Sequence, residues 1–373
     1  MRLLERLPLV LAVSGPAFAL AMLLVPLARR AARRLGALDE PGHRKLHDSI
    51  MPRTGGIAVY VAFVATVGIG YFLLPSLREV TWLRAVLGDA LDVTRDAYVV
   101  KDKLVALLAG ATLAFATGLA DDVLGRRFPV ALKALGQLLA AGVVMSAGVR
   151  TSLMPTEWLN WAATLLWLVG ITNAFNLLDN MDGLSAGVAF VASGVLLLHA
   201  WTLGEFLIAV ILLAFMGSLL GFLFFNFHPA SVFLGDCGSH FIGFVMASIM
   251  LLERYVTRAS STLFPLLMPV LLLAVPLIDT TTVILIRVRE GRPIYVGDQR
   301  HLSHRLLALG FTQRSAALFL YLATFCLGVG ALLLPHATVA ATFLILLQSA
   351  GFVALILFLM FLDRRPAAGN RVE

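Results

Sequence analysis

Residues 205–225 read EFLIAVILLAFMGSLLGFLFF: after a single glutamate, twenty residues pass without a charge. At 1.5 Å per residue, a helix of that length crosses about 30 Å, the hydrocarbon thickness of a bilayer. Runs of the same kind fall near 7–28, 55–75, 103–120, 130–148, 158–178, 183–203, 232–252, 263–286, 315–334 and 338–362. They predict an all-α, polytopic membrane helix bundle of about eleven transmembrane helices, with residues 1–373 as a single domain. No internal repeat or low-complexity tract interrupts it. The first run stops at Arg29-Arg30 after about 20 residues, so it reads as a retained helix despite Ala17-Phe18-Ala19, since a signal h-region is shorter.

Composition agrees. The chain is 60% hydrophobic and 14% charged, with a mean hydropathy of +0.90, whereas soluble domains are roughly half apolar and a quarter charged. The formal charge of +7 does not imply nucleic acid, because the basic residues sit in short loops rather than in a stripe interleaved with aromatics. Of the 29 Lys and Arg, 19 fall in segments 29–54, 121–133, 287–314 and 363–373, which the alternation of spans puts on one side. That side is expected to be the cytoplasm, with the N-terminus outside and a short basic tail, 363–373, inside. In the longer outer loop, Arg78, Arg84 and Arg95 are offset by Glu79, Asp89, Asp92 and Asp96. Cys237 and Cys326 lie on different segments, which excludes a disulfide framework and a CxxC zinc pattern.

Five polar clusters share the cytoplasmic side. The first is Asp39 to His47, leading to Pro52-Arg53-Thr54-Gly55-Gly56. Backbone N–H groups at Gly55-Gly56, with Arg44, Lys45 and Arg53 nearby, could hold an anion; a charged anchor plus a tight turn is the alternative. The second is Asp121-Asp122, whose side chains point about 100° apart on a helix and so can serve two partners; pairing with Arg126 or Arg127 is the alternative. In the third, Asn173, Asn176, Asp179 and Asp182 recur every three residues, a stripe on one helical face that is costly unless it borders water. A structural interhelical hydrogen-bond ladder is the alternative there.

The fourth cluster, Phe225 to Ser239, places Asp236 between Gly235 and Gly238, with no basic residue beside it in sequence. Such a carboxylate needs a cation partner, and Mg2+ suits oxygen ligands and substrate phosphates. The fifth is Asp298-Gln299-Arg300-His301-Leu302-Ser303-His304-Arg305. His301 and His304 share a helical face, and the surrounding arginines favour phosphate over zinc. Carboxylates, amides, histidines and arginines converging at one membrane surface suit Mg2+ and a diphosphate.

In the order RKLHDSIMPRTGG, GLADD, NAFNLLDNMDGLSAG, FNFHPASVFLGDCGS and DQRHLSHRL, these segments resemble the polyprenyl-phosphate N-acetylhexosamine-1-phosphate transferases from end to end. The resemblance implies transfer of a sugar 1-phosphate, with N-acetylglucosamine as the default sugar, from a UDP-sugar to undecaprenyl or another polyprenyl phosphate. UMP is released and Mg2+ is the cofactor, with Mn2+ as a substitute. It also implies a bacterial plasma-membrane location with a cytoplasmic active site, and it is compatible with a homodimer. Asp236 is the implied metal ligand. Asp121 and Asp122 fall on a carboxylate pair, one of which activates the lipid phosphate, and with Asp179, His301 and His304 they make up the implied catalytic set. Asp179, Asp182 and Asn226 fall on the nucleotide side, Phe233 on an aromatic that stacks on uracil, and Asn176 joins the implied substrate-binding residues. Arg44, Lys45, Lys133 and Arg305 are candidates to offset the charge of joining two anions.

Two departures stand out. Ser303 replaces a histidine of the family's H-x-H-H motif, and Asn180 stands where many members have glycine. RKLH followed by PRTGG is closer to the branch that initiates O-antigen, teichoic acid and related surface polymers than to the lipid I branch, which is the alternative. A secondary transporter is the rival from another class. It predicts ionisable groups near the midplane, whereas the interiors of the spans are almost free of charge, with Asp279 as the main exception. A non-catalytic scaffold would have lost Asp236. His199 and His240 read as packing or edge residues.

Overall fold

Leu7–Leu35 forms the first helix, α1, and its small buried face of Ala17, Ala21, Val25, Ala28 and Ala32 explains what it packs against. Opposite lies α7, Phe206–Asn226, where Gly217 and Gly221 stand four residues apart. A Cβ at Gly217 would lie 2.4 Å from the Ser14 carbonyl oxygen, and one at Gly221 would lie 2.6 Å from that of Phe18. Two apolar helices approach this closely only through small residues, since lipid supplies no hydrophobic drive between them. α1 ends at Gly36, φ +71°, whose N–H bonds back to the Ala32 carbonyl.

The computed structural model describes residues 6–40, 50–77, 79–81, 101–256, 260, 262–293 and 300–362. Arg44, Lys45, Asp298, Gln299 and the 363–373 tail lie outside the described residues, as does most of the outer loop. The chain divides into two compact units, 1–255 and 256–373.

The first unit continues with α2 (Gly55–Leu77), α3 (Lys101–Leu124), α4 (Val130–Ser146), α5 (Glu157–Leu178), α6 (Leu184–Leu203) and α8 (Gly235–Leu252). Between α1 and α2 a two-stranded antiparallel ribbon pairs β1, Leu38–Asp39, with β2, Met51–Pro52. α8 is the innermost helix, buried along nearly its whole length. Its neighbours meet it through glycines: Gly118 of α3 packs on the backbone of Asp236, and Gly56 of α2 on that of Gly238. A turn through Gly204, φ +72°, separates α6 from α7.

In the second unit, the stretch Phe264–Leu272, which ends in α9 (Met268–Leu272), and α10 (Ala274–Arg289) are bent by 71° at Leu273. Pro276 has no N–H to offer the Leu272 carbonyl one turn earlier, which accounts for the break. α11 (Leu302–Ala308), α12 (Gln313–Leu333) and α13 (Val339–Leu362) complete it. Thr312 caps α12 by accepting the Ser315 N–H.

All eleven predicted runs fall on helices. Among the described residues nine are long and apolar enough to cross a membrane, ten if the bent pair counts as one span. The eleventh is α4, apolar but only 17 residues long.

Candidate active site

Asp236 is the hub. Its position at the start of α8 brings it to the ends of α3 and α5 and beside α4. The Lys133 ammonium of α4 donates to Asp236 Oδ2 at 2.9 Å and to Asp121 Oδ2 at 2.8 Å. Asn176 Nδ2 donates to Asp236 Oδ1 and to Ser239 Oγ, both at 3.0 Å, and Lys133 also reaches Asn176 Oδ1 at 3.4 Å. Arg53, just after β2, spans three carboxylates: Asp236 at 3.5 Å, Asp122 at 3.7 Å and Asp39 at 3.7 Å. The cation partner that the sequence demanded for Asp236 thus includes two protein side chains. Burial favours a neutral guanidine, but Asp236, Asp122, Asp39 and Asp179 outweigh it and hold Arg53 more firmly protonated than an ordinary arginine.

The paired aspartates divide as their 100° offset predicts. Asp121 turns to Lys133. The Asp122 side chain is fully enclosed, and its two oxygens accept the N–H groups of Asp236 at 2.9 Å and Cys237 at 2.8 Å.

The helical stripe predicted for 173–182 is half correct. α5 stops at Leu178, so Asn173 and Asn176 are helical while Asp179 and Asp182 lie in the turn that leads to Gly183, φ +73°. Asn173 exchanges hydrogen bonds with Gln137 of α4 at 2.8 and 3.2 Å, a structural amide pair. Withdrawal from water, with the negative charge of Asp236 nearby, pushes the Asp179 carboxyl well above the usual range. Asp182 accepts from the Ala230 N–H at 3.0 Å and pairs with His228 Nδ1 at 2.8 Å. Asn226 Oδ1 accepts the Gly183 N–H at 3.0 Å, and its Nδ2 donates to the Val232 carbonyl at 2.9 Å. These two side chains therefore stitch the 179–183 turn to the 227–234 loop that carries Phe233.

One expectation is corrected. The N–H groups of Gly55 and Gly56 do not form an anion cradle: they donate to the carbonyls of Phe233 and Leu234 at 2.9 and 2.8 Å. The glycines serve close packing there, as Gly235 and Gly238 do opposite them. His199 and His240 are buried, as expected of packing residues.

In the second unit, fully buried Asp279 binds His301. His301 Nδ1 lies 2.8 Å from Asp279 Oδ2, and Asp279 Oδ1 accepts the Leu302 N–H at 2.6 Å. The carboxylate that stood out as a midplane charge is thus the orienter of the histidine motif. His304 lies on the same face, ring centroids 6.3 Å apart. Arg305 donates to the Arg300 carbonyl at 3.1 Å, and its guanidinium lies over the Phe361 ring.

Sequence reasoning left Arg53 and His228 out of the residue set. Arg53 had a signal, a cation directly before the Thr54-Gly55-Gly56 turn. His228 had none beyond its place in the fourth cluster.

The atoms that could ligate a metal there, the carboxylate oxygens of Asp236 and Asp121 and the amide oxygen of Asn176, are hard oxygens that suit Mg2+ or Mn2+. Among the described residues no three His, Cys, Asp or Glu side chains form a closed metal cage. Mg2+ does not require one, since one or two carboxylates with water and substrate phosphates suffice.

Residues 104–253 match the profile of glycosyl transferase family 4. A probable undecaprenyl-phosphate N-acetylglucosaminyl 1-phosphate transferase of Bacillus subtilis is 34% identical over 85% of this chain and 83% of its own length. A decaprenyl-phosphate N-acetylglucosaminephosphotransferase of Mycobacterium tuberculosis is 32% identical over 79% and 74%. An undecaprenyl-phosphate alpha-N-acetylglucosaminyl 1-phosphate transferase of Escherichia coli is 28% identical over 79% and 76%.

Proposed function

The chain belongs to glycosyl transferase family 4, among the polyprenyl-phosphate N-acetylhexosamine-1-phosphate transferases, and from that membership we propose that it transfers N-acetylglucosamine 1-phosphate from a UDP-sugar to undecaprenyl or another polyprenyl phosphate. The products are a polyprenyl-diphosphate sugar, which starts a cell-envelope polysaccharide, and UMP. The observation that carries this reading is the convergence of Asp236, Asp121, Asn176, Lys133 and Arg53 at one end of an apolar bundle. The excess of Lys and Arg in segments 29–54, 121–133, 287–314 and 363–373 supports placing that end at the cytoplasmic face of the bacterial plasma membrane.

An oxygen of the lipid phosphate attacks the β-phosphorus of the donor. The bond from that phosphorus to the bridging oxygen breaks, and the electron pair leaves with UMP. A divalent cation, Mg2+ or Mn2+, when held by Asp236 with Asn176 beside it, supplies charge neutralisation across the diphosphate. Lys133 and Arg53 offset the repulsion between the two anions, and Asp121 positions the Lys133 ammonium. The phosphate monoester is already ionised near neutral pH, its second pKa being about 6, so proton removal by Asp121 contributes little. Asp182 and Asn226 hold the loop that presents Phe233 to the uracil. Asp279 orients His301 within the second unit, and the family resemblance, rather than a contact, assigns His301, His304 and Arg305, with Arg44 and Lys45, to the diphosphate.

The test is turnover in detergent with undecaprenyl phosphate and a panel of UDP-N-acetylhexosamines, with and without Mg2+. Lipid-linked product with UMP, rather than UDP, is expected, and it is lost without metal or in Asp236→Ala. A folded, metal-replete protein that turns over no donor would overturn the reading.

A further inference from the structure

We propose that Asp122 is a positioning residue that fixes Asp236, leaving Asp121 as the member of the pair that faces the reaction. This inference rests on the transferase reading above and separates two residues that the resemblance leaves equivalent.

The argument starts at the N-terminus of α8. The first N–H groups of a helix have no partner within it and need an acceptor when buried. Leu234, the residue preceding α8, offers no side-chain acceptor. The acceptor comes instead from Asp122, 114 residues earlier, whose Oδ1 takes the Asp236 N–H and whose Oδ2 takes the Cys237 N–H. The Asp122 side chain has no exposed surface, whereas that of Asp121 retains 19%. One Asp122 oxygen is therefore committed to the backbone N–H of the proposed metal ligand and the other to that of the residue after it.

The surroundings are built for this contact. Gly235 has φ +76°, and a Cβ on it would lie 2.7 Å from Asp122 Oδ2 and 2.0 Å from the Arg53 carbonyl oxygen. A Cβ at Gly118, one helical turn before Asp122, would lie 2.2 Å from the Asp236 carbonyl oxygen. Only glycine at both places lets α3 come close enough for a short carboxylate to reach the α8 backbone. Arg53, at 3.7 Å from Asp122 and 3.5 Å from Asp236, keeps the two negative groups together.

The experiment compares Asp122→Asn with Asp121→Asn in the detergent-purified full chain. Three readings are taken: Mn2+ affinity by electron paramagnetic resonance without substrates, hydrogen exchange of the amides at 236 and 237, and kcat and KM for the UDP-sugar. An asparagine oxygen can accept one of the two N–H groups while its NH2 opposes the other. Asp122→Asn is therefore expected to weaken Mn2+ binding roughly tenfold, the scale for removing a group that orients a metal ligand. Amide exchange should speed up by a similar factor, and excess metal should restore most of kcat with KM unchanged. Asp121→Asn should lower kcat with neither of the other effects.

Wild-type Mn2+ affinity and exchange in Asp122→Asn, with kcat as low as in Asp121→Asn, would overturn the proposal. Should Asp122→Asn not fold, Asp122→Glu decides, because it keeps both acceptor oxygens. Protected amides, retained metal and substantial turnover would support positioning, whereas protected amides and retained metal with transfer abolished would overturn it. If the shift in exchange and metal affinity is seen but wild type uses no UDP-sugar, the transferase reading fails and the positioning role stands.

Discussion

Asp236 stands in the first turn of α8 and Glu253 follows its last residue, so about 25 Å of helix separates a half-buried and a buried carboxyl group in contrasting surroundings. Around Asp236 there are an ammonium at 2.9 Å, a guanidinium at 3.5 Å and an amide at 3.0 Å. Around Glu253 there is almost nothing: neither oxygen has a hydrogen-bond partner among the described residues, and His199 Nε2 stands 4.0 Å away. Its neighbour Glu205 pairs with the exposed Arg254 at 3.2 Å. Burial, and then the charge of Glu205, push the Glu253 carboxyl up to about 9, so it is a neutral acid at physiological pH. One end of the helix surrounds its carboxylate with cationic and amide partners; the other tolerates a carboxyl by leaving it protonated. The first arrangement is the one the proposed function asks to hold a metal and phosphates; the second offers only packing.

If the contrast is real, substitutions at the two ends should differ most in activity. Asp236→Ala is expected to reduce transfer by about a thousandfold or more, measured as UMP release. Activity retained above a tenth of wild type would break the comparison at its strongest point. Lys133→Met, which leaves Asp121 and Asp236 facing each other without their shared ammonium, should cost roughly a hundredfold in kcat. Lys133→Arg should recover part of that loss, because the charge returns but the single-point geometry does not. In the second unit, Asp279→Asn should lower kcat about tenfold, the scale of weakening the partner that orients a functional histidine. An unchanged kcat would mean that the histidine motif takes no part in transfer.

The sequence carried the membrane class and the five clusters, because apolar runs like 205–225 and polar residues at their ends are local signals. It did not carry who partners whom. Asp122 meets a backbone 114 residues away and Lys133 a carboxylate 103 residues away, whereas single-sequence spacing reports neighbours three and four residues apart. The third cluster misled for a related reason. A three-residue recurrence continues through a helix end as readily as through a helix, and nothing before Gly183 signalled that α5 stops at Leu178. Gly55 and Gly56 were legible as a turn whose N–H groups could meet an acceptor, but whether an anion or the 233–234 carbonyls supply it depends on the tertiary fold. Asp279 was legible in another sense: a lone carboxylate in an apolar run is so costly that a partner had to exist, and His301 is that partner.

The smallest expected effect comes from Glu253→Gln, which mimics the protonated acid and should leave transfer within about twofold of wild type. Its signature is in stability. The Glu253 carboxyl is raised in the folded protein from its ordinary 4.5 to about 9. The folded state therefore binds the proton more tightly than the unfolded chain does. Stability from this group is complete below pH 4.5 and is lost as pH rises towards and through 9. Wild type and Glu253→Gln should unfold at the same temperature near pH 4.5 and diverge as pH rises, with the variant the more stable. With those two values the difference at pH 8 should be on the order of 5 kcal/mol, read as a rise of several degrees in thermal unfolding for the variant. Parallel curves across pH 4.5–9 would mean that Glu253 keeps its charge through an interaction like those of Asp236, and the two ends of α8 would no longer differ in kind.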